Sequence, residues 1–412
     1  MDRLQSRRCR ALTLLATVLA ALVLSGCSSH TVQVPWLDFA VRLPGASPTP
    51  KPVAAAPNLK PTGPQPTIQE FVPIAEHFVE QHRGLQFKSP VQVTLLDDTA
   101  FRERLLGKST SAADDQALAT SSKELKALHL VDKTVDLNTA TRTLLGAGVS
   151  GFYDPKSKSL VVRGVSATPY VREVLVHELT HAVQDQWFGI DRPILNKAND
   201  EQGGSFQAVF EGDAVRIQKQ YHASMTPLEQ AQSVQEESAQ GGGTPSGVPQ
   251  VLLELISFPY IVGPAFVDNL QSIGGQAKVD DAFVHPPTTS AQLIDIHRYL
   301  VGDKALTVPA PKADAASFDQ SVLGEFGLLL LFEKVGTITP QQAVRIGNLW
   351  GGDQYVAWDS PSGACVRDGV LAKQPSDQAA LDSALAAFAA AVPGTTFTPS
   401  SGGAPSVLTA CG

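Results

Sequence analysis

The sequence predicts an α+β protein that is predominantly helical, with a small antiparallel hairpin beside one buried helix. Apolar residues recur at helical spacing in most segments after residue 67. By contrast, the stretch GFYDPKSKSLVVRG, from 151 to 164, places short β-prone runs on both sides of an Asp-Pro turn. A hydrophobic fraction of 43% is typical of a soluble globular chain. We expect one folded domain over residues 67–412, with a helical C-terminal part over 250–412. Within that part, NLWGGDQYVAWDS suggests a turn into a strand.

The N-terminal 26 residues have the pattern of an export signal. Four arginines in the first ten residues precede the apolar run ALTLLATVLAALVL, which is short for a membrane span. The following LSGC, at 24–27, resembles the bacterial lipobox. That resemblance implies removal of residues 1–26 and lipidation of Cys27. The alternatives are an ordinary secretory signal and an uncleaved anchor helix.

Residues 27–66 are rich in Pro, Ala, Ser and Thr and predict a semi-extended tether. Together with the lipobox, this predicts an extracytoplasmic protein that is lipid-anchored to the bacterial cell membrane through Cys27.

The net charge of the chain bears on its partners, and its cysteine content bears on its compartment. A formal net charge of −8 argues against nucleic acid as a partner, since phosphate binding requires a basic surface. Of the four cysteines, one lies in the signal and one is assigned to the lipid. Cys365 and Cys411 remain as an even pair, which predicts a disulfide in an oxidising compartment.

The pentapeptide His177-Glu178-Leu179-Thr180-His181 predicts a zinc site. It lies in a helix predicted over 169–188, where positions i and i+4 share a face, so both imidazoles can reach one ion. Glu178 lies beside them as a general base that accepts a proton from an activated water. The alternative is a core helix that carries two histidines.

A catalytic zinc needs a third protein ligand. The extension H-E-x-x-H-x-x-G-x-x-H fails here, because Gln184 and Trp187 occupy its Gly and His positions. The next predicted helix, 205–221, offers Glu211 as the third ligand. Asp213 is the alternative ligand, and it or Asp185 is a candidate acceptor for the free ring N–H of a ligand histidine.

The pattern resembles the gluzincin group of zincin metallopeptidases. More closely, six segments resemble an uncharacterised group of bacterial and archaeal secreted or membrane-anchored metallopeptidase-like proteins: GFYDP, VLVHELTHAVQDQWF, EGDA, VHPPTTSAQLI, LGEFGLLLL and WGGDQYVAW. The resemblance covers roughly residues 125–390. It implies a zincin-like core, Zn²⁺ held by His177, His181 and Glu211, and catalysis by Glu178.

These observations predict a zinc metallopeptidase that acts on peptides or proteins. We expect strand 159–163 to bind substrate by strand addition, or else to be a plain structural hairpin. The oxyanion donor is sought among Tyr260, His285, His297 and Tyr299, with His285 preferred. The alternatives are a zincin-fold lipoprotein without catalysis, which binds partners or organises the envelope, and a zinc hydrolase of other bonds.

Overall fold

The computed structural model describes residues 64–106, 112–192, 200–241, 246–336 and 338–412. The predictions for the signal peptide, Cys27 and the tether as far as residue 63 lie outside these ranges. The structure is 57% helical and contains one three-stranded and one five-stranded sheet, so the predicted α+β, predominantly helical class is confirmed.

The helices follow one another through most of the described chain. They are α1 (Ile68–Arg83), α2 (Asp98–Leu106), α3 (Ala112–Ala127), α4 (Leu137–Gly148), α5 (Pro169–Phe188), α6 (Asp200–Ser224), α7 (Pro227–Gly241), α8 (Gln250–Val284), α9 (Ser290–Ile294), α10 (Ile296–Leu300), α11 (Gly324–Glu333), α12 (Pro340–Gly347) and α13 (Gln378–Ala391). The strands are β1 (Gln92–Leu96), β2 (Gly151–Asp154), β3 (Ser159–Arg163), β4 (Ser317–Ser321), β5 (Trp350–Ser360), β6 (Gly363–Ala372), β7 (Thr395–Thr398) and β8 (Ser406–Cys411).

The smaller sheet contains the predicted hairpin, in which β2 and β3 pair antiparallel. The sheet as a whole is mixed, because β1 pairs parallel with β3 and gives the order β1-β3-β2. β3 is therefore the central strand, and its buried Leu-Val-Val run suits that position. The expected strand addition at 159–163 is wrong, since both sides of β3 are already paired, and β1 and β2 are the edge strands instead.

The helix α5 is buried around its whole circumference. Every residue from Glu173 to Asp185 is buried, so the helix runs through the core rather than along the surface. Pro169 occupies its first turn, where a missing N–H costs nothing, and Gly189 ends it at φ 67°. These boundaries agree with the predicted helix 169–188, and they fix the orientation of the pentapeptide.

The helices α6 and α8 cross at two glycines. A Cβ on Gly212 would lie 2.3 Å from the carbonyl carbon and oxygen of Gly263, and one on Gly263 would lie 2.2 Å from the Ala208 oxygen. Only glycines permit this approach, because any side chain would overlap the facing backbone. The crossing brings the backbone beside Glu211 against the middle of α8.

The helix α8 is, among the described residues, the one helix long and apolar enough to cross a membrane. However, 78% of its apolar window is buried inside the protein, as in a core helix. Its regular geometry is interrupted at Gly274 and Gly275, where the backbone is non-helical.

The strand suggested in NLWGGDQYVAWDS is confirmed as β5. The prediction of a helical C-terminal part over 250–412 is wrong in part after residue 316, where further strands accompany the helices α11, α12 and α13. There the chain forms an antiparallel sheet in the order β4-β5-β6-β8-β7, with α13 packed against it. The long strands β5 and β6 are buried on both faces for most of their length, so they lack the alternation of polar and apolar residues that marks a half-exposed strand. The predicted disulfide between Cys365 and Cys411 joins β6 to β8.

Candidate metal centre

Two helices bring three ligand atoms to one point. α5 supplies His177 and His181, and α6 supplies Glu211. The two Nε2 atoms lie 3.0 Å apart, and Glu211 Oε2 lies 3.3 Å from His177 Nε2 and 3.1 Å from His181 Nε2. All three residues are buried. The structure thus contains a buried group able to hold a metal ion, and it is made of the three predicted ligands.

Two glutamines hold the other ring nitrogens of the histidines. His177 Nδ1 lies 3.0 Å from Gln218 Oε1, and His181 Nδ1 lies 2.9 Å from Gln184 Oε1. The Gln184 amide nitrogen donates to the Phe210 carbonyl and to Asp213 Oδ2, so its oxygen must face His181. In a neutral ring, an acceptor at Nδ1 places the proton there and leaves the Nε2 lone pair directed at the cluster.

Asp213 is not a ligand in this arrangement. It accepts hydrogen bonds from Gln184, from Arg83 and from Arg216 Nη2, the last at 3.0 Å. Burial acts to raise the pKa of Asp213, but the two guanidinium groups outweigh burial and hold the pKa below its ordinary value. Asp213 therefore supports His181 indirectly, because Gln184 bonds both residues. The predicted direct contact between Asp213 and a ligand histidine is replaced by this link.

Asp185 also contacts neither histidine. Its Oδ2 accepts from the Tyr153 hydroxyl at 2.7 Å and from Lys158 Nζ at 2.6 Å. These bonds tie α5 to the β2–β3 hairpin. The predicted contact between Asp185 and a ligand histidine is thus replaced by contacts that fix the helix against the small sheet.

Glu178 is buried beside the cluster, and only one of its carboxylate oxygens has a hydrogen-bond partner among the described residues. Its Oε2 accepts from the Tyr153 backbone N–H at 2.8 Å. Its Oε1 is buried and has no hydrogen-bond partner among the described residues. Burial raises the pKa of Glu178 to about 8, because the charged carboxylate is poorly solvated there.

The charges of the cluster depend on one another. Burial acts to lower the pKa of both histidines, and in His177 it prevails. In His181 the Glu211 carboxylate outweighs burial and raises the pKa to about 9. The histidines in turn hold the pKa of Glu211 at about 2, against the effect of burial. Glu211 is therefore an anion that requires a positive charge next to it.

The donor set fits a divalent cation such as zinc. Ligands about 2.0–2.1 Å from a tetrahedral zinc lie roughly 3.3 Å from one another, and the three atom pairs here are separated by 3.0, 3.1 and 3.3 Å. Two imidazoles and one carboxylate are also a ligand set of catalytic zinc sites. Glu178, with its Oε1 unpaired within the described chain, lies on the same helix at the position next to His177.

Of the four candidate oxyanion donors, only Tyr260 reaches the cluster. Its buried hydroxyl donates to Glu211 Oε1 at 2.8 Å. The preferred candidate, His285, is not part of the cluster, since its side chain is 75% exposed and bonds Asp281. His285 is the residue that directly follows the last turn of α8. At this position its side chain faces solvent. His297 is exposed, and Tyr299 donates to the His285 carbonyl.

Four functional contacts were not predicted from the sequence: those of Gln184, Gln218, Arg83 and the Tyr153 backbone. A spacing signal existed for two of them. Gln184 lies three residues after His181, and Gln218 seven residues after Glu211, so each shares a helix face with a ligand. Arg83 and Tyr153 come from distant segments and gave no local signal.

Comparisons of the chain with protein-family models, with curated proteins and with solved structures found no match. The resemblance to zincin metallopeptidases stays a prediction.

Proposed function

We propose that the chain is a membrane-anchored, extracytoplasmic zinc metallopeptidase that hydrolyses peptide bonds with Glu178 as general base. The observation that carries this proposal is the position of Glu178. Its Oε1 is buried without a partner in the described part of the chain, on the same helix as two members of the His177, His181 and Glu211 group. A site that only stabilised the fold would have no use for a carboxylate left in this state.

His177, His181 and Glu211 would hold the ion, which when bound would supply Lewis-acid chemistry that activates water and polarises a carbonyl. The Tyr153 N–H orients Glu178 through Oε2, and a cation held beside it would favour the ionised carboxylate. Its Oε1 is then left to accept the proton of the attacking water. Glu178 then passes this proton to the departing amine, so that water and peptide become a carboxylate and an amine. The Tyr260 hydroxyl, now on Glu211, is the nearby donor for a developing oxyanion.

Two observations support the proposed compartment. The lipobox-like LSGC ends a short apolar run, which is the pattern of an anchored export signal. In addition, Cys365 and Cys411 form a disulfide, which persists outside the reducing cytoplasm.

Digestion of a generic peptide library by three proteins tests the proposal. These are the wild type, Glu178→Gln and a control, Glu173→Gln. Glu173 is a buried glutamate on the same helix that bonds His222 and Ser233 away from the cluster. We expect hydrolysis by the wild type and the control, and a loss of at least about 10²-fold in Glu178→Gln, the low end for a missing general base.

Zinc content is measured in parallel for all three proteins. Equal zinc content with hydrolysis lost only in Glu178→Gln supports the proposal. Zinc bound by the wild type without any cleavage that depends on Glu178 would overturn it in favour of a lipoprotein without catalysis. Cleavage of ester or amide substrates but of no peptide would instead indicate a zinc hydrolase of other bonds.

A further inference from the structure

A cavity of about 210 Å³ lies between α3, the start of α6, the first half of α8, α11 and the strands β5 and β6. Its wall is mostly apolar and includes Leu125, Leu252, Leu255, Phe258, Phe326 and Leu330. An apolar cavity of about 150 Å³ is large enough to bind benzene. This cavity therefore has room for an aromatic or long aliphatic group.

Two residues of the cavity wall each have a buried polar atom without a hydrogen-bond partner among the described residues. Gln207 and Ser205 are 5% and 1% exposed, and both line the cavity. Gln207 Nε2 and Ser205 Oγ have no hydrogen-bond partner within the described part of the chain. An unpaired buried donor of this kind costs about 1–3 kcal/mol. A ligand that combines an apolar group with a hydrogen-bond acceptor would remove that cost.

Two helices that contribute residues to the metal centre also line the cavity. Gln207 precedes Glu211 by four residues on α6, so the two share a helix face and lie about 6 Å apart along the helix axis. On α8, Pro259 lines the cavity, and the next residue, Tyr260, donates to Glu211. Residues of the cavity wall are therefore close in sequence to Glu211 and Tyr260 on both helices.

We propose that the cavity receives an aromatic or long aliphatic side chain next to the scissile bond of peptide substrates, and that the Gln207 amide donates to a peptide carbonyl of the same segment. This inference rests on the proposed function. Acidic side chains are disfavoured, because the wall, as far as the described residues form it, contains two glutamates, Glu124 and Glu201, and no positively charged residue.

The test has one arm that needs no catalysis. Binding of N-acetylphenylalanine amide, N-acetylalanine amide and N-acetylaspartate amide to Glu178→Gln is measured by ligand-observed NMR. We expect at least tenfold tighter binding of the phenylalanine amide than of the other two. Adding Leu255→Trp should fill the cavity and abolish that preference. Ile346→Trp, a half-buried aliphatic on α12 outside the cavity wall, should leave the preference unchanged.

A second variant covers the case in which Leu255→Trp does not fold. Gln207→Met keeps the length of the side chain but removes the donor. Because the amide nitrogen is unpaired within the described chain, the change should leave the melting temperature equal or higher, while it weakens phenylalanine amide binding about tenfold. Unchanged binding of the phenylalanine amide by Gln207→Met would overturn the assigned role of Gln207.

The second arm is the residue preference at the cleaved bonds of a peptide library. Enrichment of Phe, Leu or Met on one side of the bond, shifted to Ala by Leu255→Trp alone, supports the inference. Cleavage with no such enrichment overturns it and leaves the proposed function standing. Selective binding of the phenylalanine amide without any cleavage supports the apolar side-chain site. It contradicts the proposed peptidase function.

Discussion

At the scale of single residues, the metal centre depends on the Nε2 atoms of His177 and His181, which face the cluster while glutamines bond the Nδ1 atoms. His177 and His181 could be predicted from the sequence, because i and i+4 spacing fixes a shared face without any tertiary information. Glu211 could be proposed but not separated from Asp213. That distinction depends on the rotation of α6 against α5 and on Arg83, a residue 130 positions away from Asp213 that neutralises its charge.

The first residue-scale prediction concerns Gln184. Gln184→Met removes the acceptor for His181 Nδ1 and the link to Asp213, so the imidazole loses its fixed orientation. We expect zinc affinity to fall about 10–100-fold, as for other outer partners of metal ligands. Competition with a chromophoric chelator measures this. Gln186→Met, on the same helix but bonded to the Ser89 carbonyl, is the control, and equal affinities in both variants would refute the role of Gln184.

The second residue-scale prediction concerns Glu325, which is fully buried on α11. Burial raises the pKa of Glu325 from 4.5 to about 7, although Arg298 pulls it down. The folded state therefore binds more protons than the unfolded state between these values. This contribution to the free energy of unfolding is fully present below about pH 4.5 and is lost as the pH rises through about 7.

Urea unfolding at pH 5 and pH 8 measures this effect. A pKa change of this size corresponds to a contribution from Glu325 of roughly 2–3 kcal/mol to the stability that the wild type loses between the two conditions. In Glu325→Gln the side chain at position 325 no longer titrates, so its free energy of unfolding should depend less on pH. The variant Glu103→Gln, at an exposed position, should follow the wild type. Parallel curves for wild type and Glu325→Gln would show that Glu325 is not the group responsible.

At the scale of secondary-structure elements, local pattern predicted what lies close in sequence. The hairpin β2–β3 and the helix α5 were predicted from turn residues and apolar spacing. The pairing of β1 with β3 was not, because the two strands are separated by α2, α3, α4 and β2. This pairing makes β3 central and leaves β2 at an edge, where its Tyr153 N–H holds Glu178.

The element-scale prediction concerns the α6–α8 crossing. Gly212→Ala places a Cβ 2.3 Å from the Gly263 carbonyl, so one backbone must move. We expect a loss of about 3 kcal/mol in the free energy of unfolding, typical of overpacking. Zinc affinity should also fall, because Glu211 and Tyr260 lie on the separated helices. Gly203→Ala, on the same helix with nothing within 4 Å of the new Cβ, is the control.

Chemical denaturation measures both variants. Gly203→Ala should be neutral or more stable, by up to about 1 kcal/mol, since alanine favours helix. If Gly212→Ala were as stable as the control, the two helices would not be in the close contact described above.

At the scale of the whole molecule, the fold class could be predicted, whereas of the C-terminal sheet only the strand in NLWGGDQYVAWDS could. The strands β5 and β6 carry buried residues on both faces, and such strands give no alternating signal. The segment ALDSALAAFAAAV was predicted as a helix and forms α13, but no pattern indicated the strands that flank it. The disulfide could be predicted from composition alone, because only two cysteines were left to pair.

The whole-molecule prediction concerns this disulfide. Cys365 and Cys411 are 46 positions apart, and a loop of that length contributes about 4 kcal/mol through the entropy of the unfolded chain. The double variant Cys365→Ser and Cys411→Ser should lose most of this in urea unfolding. Treatment with reductant should destabilise the wild type by a similar amount and the variant not at all. An equal response of both proteins to reductant would contradict the stabilising role of the disulfide.

The central claim is that His177, His181 and Glu211 hold a metal ion. The most direct measurement is an anomalous difference map, recorded at the zinc absorption edge, from crystals grown with zinc. We expect a peak about 2.0–2.2 Å from His177 Nε2, His181 Nε2 and a Glu211 oxygen. A map with no peak at these three atoms, or with zinc bound at Asp213 instead, would contradict it.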